Sequence, residues 1–275
     1  MPFKGQPNIA VIRMRHLIIL ILFISPFRGT AQLADTTWTL LYQLKDTAIV
    51  YFTTDKLQQY YTVTNQNAVT KYDANNRKVF AYQNKRYGKL SFIDATDPFY
   101  LLLYYQDFQA VVILDRTLNF VKEYNLNDWG FYDIKALGLG NDHHVWLYDN
   151  RISALKKISE QGNVIAQSER LHKLVTTQPN IIQVSDNHVY LVTAEAVLIF
   201  DLFGQFLRRL DIPKITNLQA INNTLLLYNG SWQLCQTIAD TTQVLNVSSA
   251  KIVRYETERF FVLTDDQLLI YKKAE

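Results

Sequence analysis

Cysteine is almost missing from this chain: Cys235 is the only one among 275 residues, so no internal disulfide can form. A fold of this size must then draw its stability from buried apolar surface, which a hydrophobic fraction of 48% can supply. No cysteine stands near the expected cleavage point after the N-terminal apolar stretch, which removes the usual acylation site of a bacterial lipoprotein. Charged residues are also few, at 19%, while aromatics reach 13%, a balance that excludes a disordered or low-complexity chain and favours strands. Such cysteine poverty fits a bacterial periplasmic or surface protein better than a eukaryotic secreted one. The sequons at Asn222, Asn229 and Asn246 then read as accidents of a chain rich in Asn and Thr.

A long apolar run is missing too. The stretch from Leu17 to Phe27 is about half the roughly 20 residues that span a bilayer. It follows Lys4, Arg13 and Arg15 and precedes the small residues Gly29-Thr30-Ala31, which is the pattern of a cleaved signal peptide. We expect residues 1–31 to be that signal, with Met14 a possible initiator, and 33–275 to be one exported domain without stable membrane insertion. Cleavage would remove four basic residues and no acid, so the charge of +3 becomes 28 − 4 − 25 = −1. That balance leaves no attraction to nucleic acid.

What is present is a repeat. Strand-like runs end in a polar residue followed by a turn: Ala68 to Asp73, Ala110 to Asp115, Ser153 to Ser159, Ala196 to Asp201, Trp232 to Gln236 and Gln267 to Lys272. Steps between the terminal polar residues are 42 (73 to 115), 44 (115 to 159), 42 (159 to 201), 35 (201 to 236) and 36 (236 to 272). A period near forty residues is that of propeller blades. Ser159-Glu160-Gln161-Gly162 and Asp201-Leu202-Phe203-Gly204 place glycine where a tight hairpin needs positive φ. Another strand precedes each marker, as at Phe99 to Tyr104 or Thr224 to Tyr228, so each unit reads as a meander. The expected fold is all-β, a six-bladed β-propeller, closed by an N-terminal strand (Trp38 to Leu44) that joins the last blade and hides the open sheet edges.

The turn Phe200-Asp201-Leu202-Phe203-Gly204-Gln205-Phe206 resembles the hairpins of six-bladed propellers of the NHL and TolB-like kind, and the likeness extends over the mature chain. Export and low cysteine suggest an origin in a Bacteroidetes-like cell envelope.

Propellers usually bind at the channel mouth, where links from outer to next inner strand and from second to third strand converge. In those links Tyr87, Phe108 and Trp129 offer rigid aromatic surface, with Arg86, Asp107 and Asp128 as polar partners. These six residues form the candidate binding face, although each aromatic also suits the commoner role of a plug between blades. Asp142-His143-His144 is the densest ligand-like cluster. Neighbouring side chains on a strand point apart, so a hairpin turn explains it better than a metal site. Cys235 alternates with apolar residues and reads as buried and inert, and acid pairs such as Asp94 with Asp97 or Asp265 with Asp266 read as turn residues. No nucleophile elbow, phosphate loop or zincin helix occurs. We therefore expect no catalytic residues, metal or cofactor, and a non-catalytic scaffold that binds an envelope protein or peptide. The alternative is a metal-dependent hydrolase or lyase acting on a sugar or lactone with scattered channel acids.

Overall fold

The computed structural model describes residues 38–274 other than Asp186, Asp240 and Ser248, so the expected signal at 1–31 lies outside the described residues. The order of strands is β1 (Trp38–Lys45), then β2 (Ile49–Thr54), β3 (Tyr60–Thr64), β4 (Ala68–Tyr72) and β5 (Lys78–Gln83) as the first blade. The second blade is β6 (Phe92–Asp97), β7 (Tyr100–Tyr105), β8 (Ala110–Asp115) and β9 (Phe120–Asn125). The third is β10 (Leu137–Leu139), β11 (Val145–Asp149), β12 (Ala154–Ile158) and β13 (Val164–Gln167). The fourth is β14 (Ile181–Val184), β15 (Val189–Val192), β16 (Val197–Phe200) and β17 (Phe206–Leu210). The fifth is β18 (Asn217–Ile221), β19 (Thr224–Tyr228), β20 (Trp232–Gln236) and β21 (Thr241–Val244). The sixth runs β22 (Ile252–Glu256), β23 (Arg259–Leu263) and β24 (Gln267–Lys273), and β1 pairs antiparallel with β24 as its fourth, outer strand. The fold is a six-bladed β-propeller.

Period-two alternation explains how the ring packs. In β8, Ala110, Val112 and Leu114 face the first blade, while Val111 and Ile113 face the third. Second and third strands such as β7, β8, β15 and β16 are thus apolar on both sides because a neighbouring blade covers each side. Six hydrophobic clusters result, one at each blade-to-blade interface, and the fully buried Trp146, Tyr61 and Phe261 belong to three of them. Outer strands have only one covered side, and they leave pairs such as Phe120–Val121 and Val164–Ile165 exposed.

The polar residue ending each third strand has a physical task in the first four blades. Asp73 Oδ1 accepts the N–H of Asn75 and Arg77 at 3.0 and 2.9 Å, and Asp115 Oδ1 those of Thr117 and Asn119 at 2.7 and 2.9 Å. Ser159 Oγ and Asp201 Oδ1 do the same for Gln161 with Asn163 and for Phe203 with Gln205. The left-handed residue of the turn is Gly162 and Gly204 in two blades, but Asn76 (φ 63°) and Leu118 (φ 60°) in the others. Leu118 tolerates that backbone while its side chain is buried between the first two blades.

Candidate functional site in the central channel

Inner strands run along the channel and end in first-to-second-strand hairpins. A cavity of about 530 Å³ extends along them, from Phe92 and Asn217 to Asp55, Asn222 and Thr257 in those hairpins. Its wall is mixed, with Ile93, Ile181 and Leu218 among its apolar residues, and polar where the inner strands carry Asp94, Gln183, Gln219 and Arg254 at corresponding places in four blades.

Most of these side chains tie one blade to another. Asp94 Oδ2 accepts the Leu139 N–H of the next blade at 2.9 Å, and its Oδ1 accepts the Thr96 N–H at 2.8 Å. Burial pushes the Asp94 carboxyl up from its ordinary range, against these hydrogen bonds and the Arg254 charge. Gln183 Nε2 donates to Thr96 Oγ1 at 3.2 Å. Gln219 Nε2 donates to Tyr255 O at 3.0 Å and to Glu256 Oε1 at 2.7 Å, and the same Glu256 oxygen accepts from Thr54 Oγ1 at 2.8 Å. Burial, with a smaller contribution from Asp55, pushes the Glu256 carboxyl up to about 7; the Thr54 bond and the Arg254 and Lys56 charges oppose it. Asp55 is itself raised by burial, although Tyr61 donates its hydroxyl to it at 2.9 Å. Arg254, only 6% exposed, donates to Val253 O at 3.2 Å and to Tyr51 Oη at 3.1 Å.

The cavity therefore offers carboxyls, amides, hydroxyls and one guanidinium. Among the described residues no three His, Cys, Asp or Glu side chains stand close enough to hold a metal ion. Asp94 is not a turn residue as its pairing with Asp97 suggested: it stands within β6, where the channel replaces the expected solvent. Sequence reasoning passed over Gln219, Arg254 and Glu256 as well. The signal that could have found them is a polar residue at matching places in otherwise apolar inner strands.

The six residues chosen from the sequence stand at the other end of the ring, where inner strands begin, and none lines this cavity. Arg86, Tyr87 and Phe108 come together. Tyr87 is buried between the first two blades, its ring edge-on to Phe108 at 6.3 Å, and its hydroxyl donates to Glu123. Burial and that bond push the Tyr87 hydroxyl up to about 12. Arg86 bonds the same Glu123 at 3.0 Å and lies 5.0 Å over the Tyr87 ring. Phe108 is half exposed and Asp107 is exposed. Trp129 is apart from them, at the interface of the second and third blades, where it stacks on Tyr124 at 4.4 Å; Asp128 beside it is exposed. Tyr87 and Trp129 thus plug blades, and Glu123, an outer-strand acid missed in the sequence, organises the first cluster.

His143 and His144 stand in the turn before β11. His143 has φ 64°, bonds Asp97 at 2.7 Å and packs on Tyr100, whereas His144 turns to Asp142. Cys235 is buried within β20.

No protein-family model matches the chain, and no curated protein matches it. Solved structures do. Virginiamycin B lyase from Staphylococcus aureus superposes with a TM-score of 0.62 at 11% identity, covering 86% of this chain and 100% of that one. The WD40 domain of Pan2 from Neurospora crassa gives 0.60 at 10%, covering 86% and 96%. The extracellular domain of a one component system from B. thetaiotaomicron gives 0.54 at 11%, covering 82% and 33%. At such identities the likeness is one of fold, a frame that carries many unrelated functions. No helix among the described residues is long and apolar enough to cross a membrane.

Proposed function

We propose that the chain is an exported, non-catalytic propeller of the bacterial cell envelope that binds a protein or peptide partner. The supporting observation is the cluster at the start of the inner strands. Half-exposed Phe108 rests on buried Tyr87, and Arg86 is fixed beside it by Glu123, which gives a rigid aromatic and a guanidinium facing solvent. Rigid aromatics beside arginine are the usual anchors of protein interfaces. Asp107, Asp128 and the half-buried Trp129 would extend that face across the second blade. The test is affinity capture of partners from detergent-solubilised envelopes with the parent and with Phe108→Ala/Arg86→Ala. A stoichiometric partner kept by the parent and lost by the variant supports this face; equal capture by both removes it.

A second reading is favoured by one feature, the buried carboxyls of the channel, among them Glu256 held at about 7. A carboxyl in that range suits general acid or base work on a sugar or lactone. The divalent cation of that reading has no three-donor cluster among the described residues. Metal analysis of the purified chain, with assays on lactones and polysaccharides, tests it.

A further inference from the structure

Arg254 has a guanidinium that cannot shed its charge, and at 6% exposure it has lost most of its water. Its hydrogen bonds go to a carbonyl, Val253 O, and to a neutral phenol, Tyr51 Oη, and no described carboxylate lies within salt-bridge distance of it. Two other buried cations show how this protein settles the same problem elsewhere. Lys156 bonds the buried carboxylate of Asp149 at 2.9 Å. Lys71 has only the carbonyl of Arg116 and the face of Tyr61, and burial drives it towards losing its proton. Arg254 has neither remedy. It lines the channel cavity instead, and Asp94 and Glu256 line the same cavity, near enough to feel its charge but not to touch it.

A fixed cation and two carboxyls, which burial inclines to the neutral form until a cation arrives, are therefore held apart across a cavity whose volume, about 530 Å³, is in the range of small-molecule pockets. A purely anionic ligand would meet Asp94 and Glu256, and a purely cationic one would meet Arg254. A ligand carrying both signs satisfies each. We infer that the channel cavity binds a small zwitterion, an α-amino acid or a short peptide with both ends free, its carboxylate held by Arg254 and its ammonium facing Asp94 and Glu256. The hydroxyls and amides of Thr96, Gln183 and Asn217 line the remainder and suit the polar atoms of such a ligand.

None of the residues of this site belongs to the Phe108 and Arg86 face, so it goes beyond the function proposed above, and either reading can fail alone. The experiment is titration calorimetry of the mature chain at neutral pH against the twenty amino acids, a set of di- and tripeptides, and the same peptides acetylated or amidated. Binding of at least one free-ended compound is expected, weakened at least tenfold by blocking either end. Preference for single amino acids or for peptides identifies the source. Arg254→Met should abolish binding while the variant still folds, since no ion pair is lost. No binding by any compound, indifference to blocking, or unchanged binding in a folded Arg254→Met overturns the inference. If Arg254→Met does not fold, Arg254→Lys decides: it keeps charge without the planar fork, must bind at least tenfold more weakly, and overturns the inference if it binds equally. Phe108→Ala/Arg86→Ala should bind the zwitterion as the parent does.

Discussion

Gln219 on β18 grips the backbone of Tyr255 on β22 with both ends of its amide: Tyr255 N–H donates to Oε1 at 2.9 Å, and Nε2 donates to Tyr255 O at 3.0 Å. Inner strands of neighbouring blades belong to different sheets, so their edge groups have no ladder partner across the seam. A buried side-chain amide replaces one rung of the missing ladder between the fifth and sixth blades. Asp94 does so between the second and third by accepting the Leu139 N–H. The inner wall is thus both the lining of the cavity and the stitching of the ring.

Gln219→Ala should cost about 1–3 kcal/mol, because it leaves partly buried backbone groups of Tyr255 without partners. Chemical denaturation measures it. A loss below a few tenths of a kcal/mol would mean that water replaces the amide and that the seam is held by apolar packing alone.

Gly162 and Trp129 meet across the second and third blades: a Cβ on Gly162 would come within 2.3 Å of the indole, and its φ of 81° disfavours any side chain. Gly162→Ala should destabilise by roughly 1–3 kcal/mol through overpacking and backbone strain. Trp129 should be displaced from Tyr124, with a change in tryptophan fluorescence. Adding Trp129→Ala should recover the steric part of that loss, leaving only the backbone part.

That pair also shows how far the sequence could be read. The glycine at position 162 marked a hairpin from spacing alone, and Trp129 was assigned to a link between blades. Their contact could not be foreseen, because it joins blades through twist that no local pattern encodes. The equivalent turns of the first two blades use Asn76 and Leu118, so a search for glycine finds only part of the repeat. Aromatics in links drew attention as binding residues, yet Tyr87 is a core residue and only Phe108 keeps a free face. The cavity wall was least legible: Gln219, Arg254 and Glu256 sit in strands whose pattern is otherwise unremarkable, and their meeting depends on ring closure.

Asp149 and Lys156, on β11 and β12, form a buried pair at 2.9 Å, with Arg151 completing it at 3.3 Å. Burial raises the Asp149 carboxyl, but its bonds to Lys156 and Arg151 outweigh that and hold it below its ordinary range. Lys156→Met should cost about 3 kcal/mol by stranding a buried carboxylate. The double variant Asp149→Asn/Lys156→Met should be more stable than the sum of the single losses requires, by denaturant titration. Additive losses would show that the pair is uncoupled.

Glu256 ties Gln219 and Thr54 together at the meeting of the fifth, sixth and first blades, and its carboxyl is raised from 4.5 to about 7 by burial. Below pH 4.5 it is protonated in folded and unfolded chains alike. Between there and pH 7 the unfolded chain ionises first, so the native state holds more protons and stability falls as pH rises. Above 7 the loss is complete and flat. Asp55 faces Glu256 and strengthens the effect, whereas Arg254 and Lys56 weaken it. Asp55 and Asp94 are also raised, so the parent alone does not isolate one group. The difference between parent and Glu256→Gln does, since glutamine keeps an oxygen to accept from Thr54 and Gln219 but cannot ionise. Denaturation midpoints at pH 5 and pH 7.5 should separate further for the parent than for Glu256→Gln. Equal separation in both would place the carboxyl in ordinary solvent contact and remove the reason for treating it as a general acid in the channel.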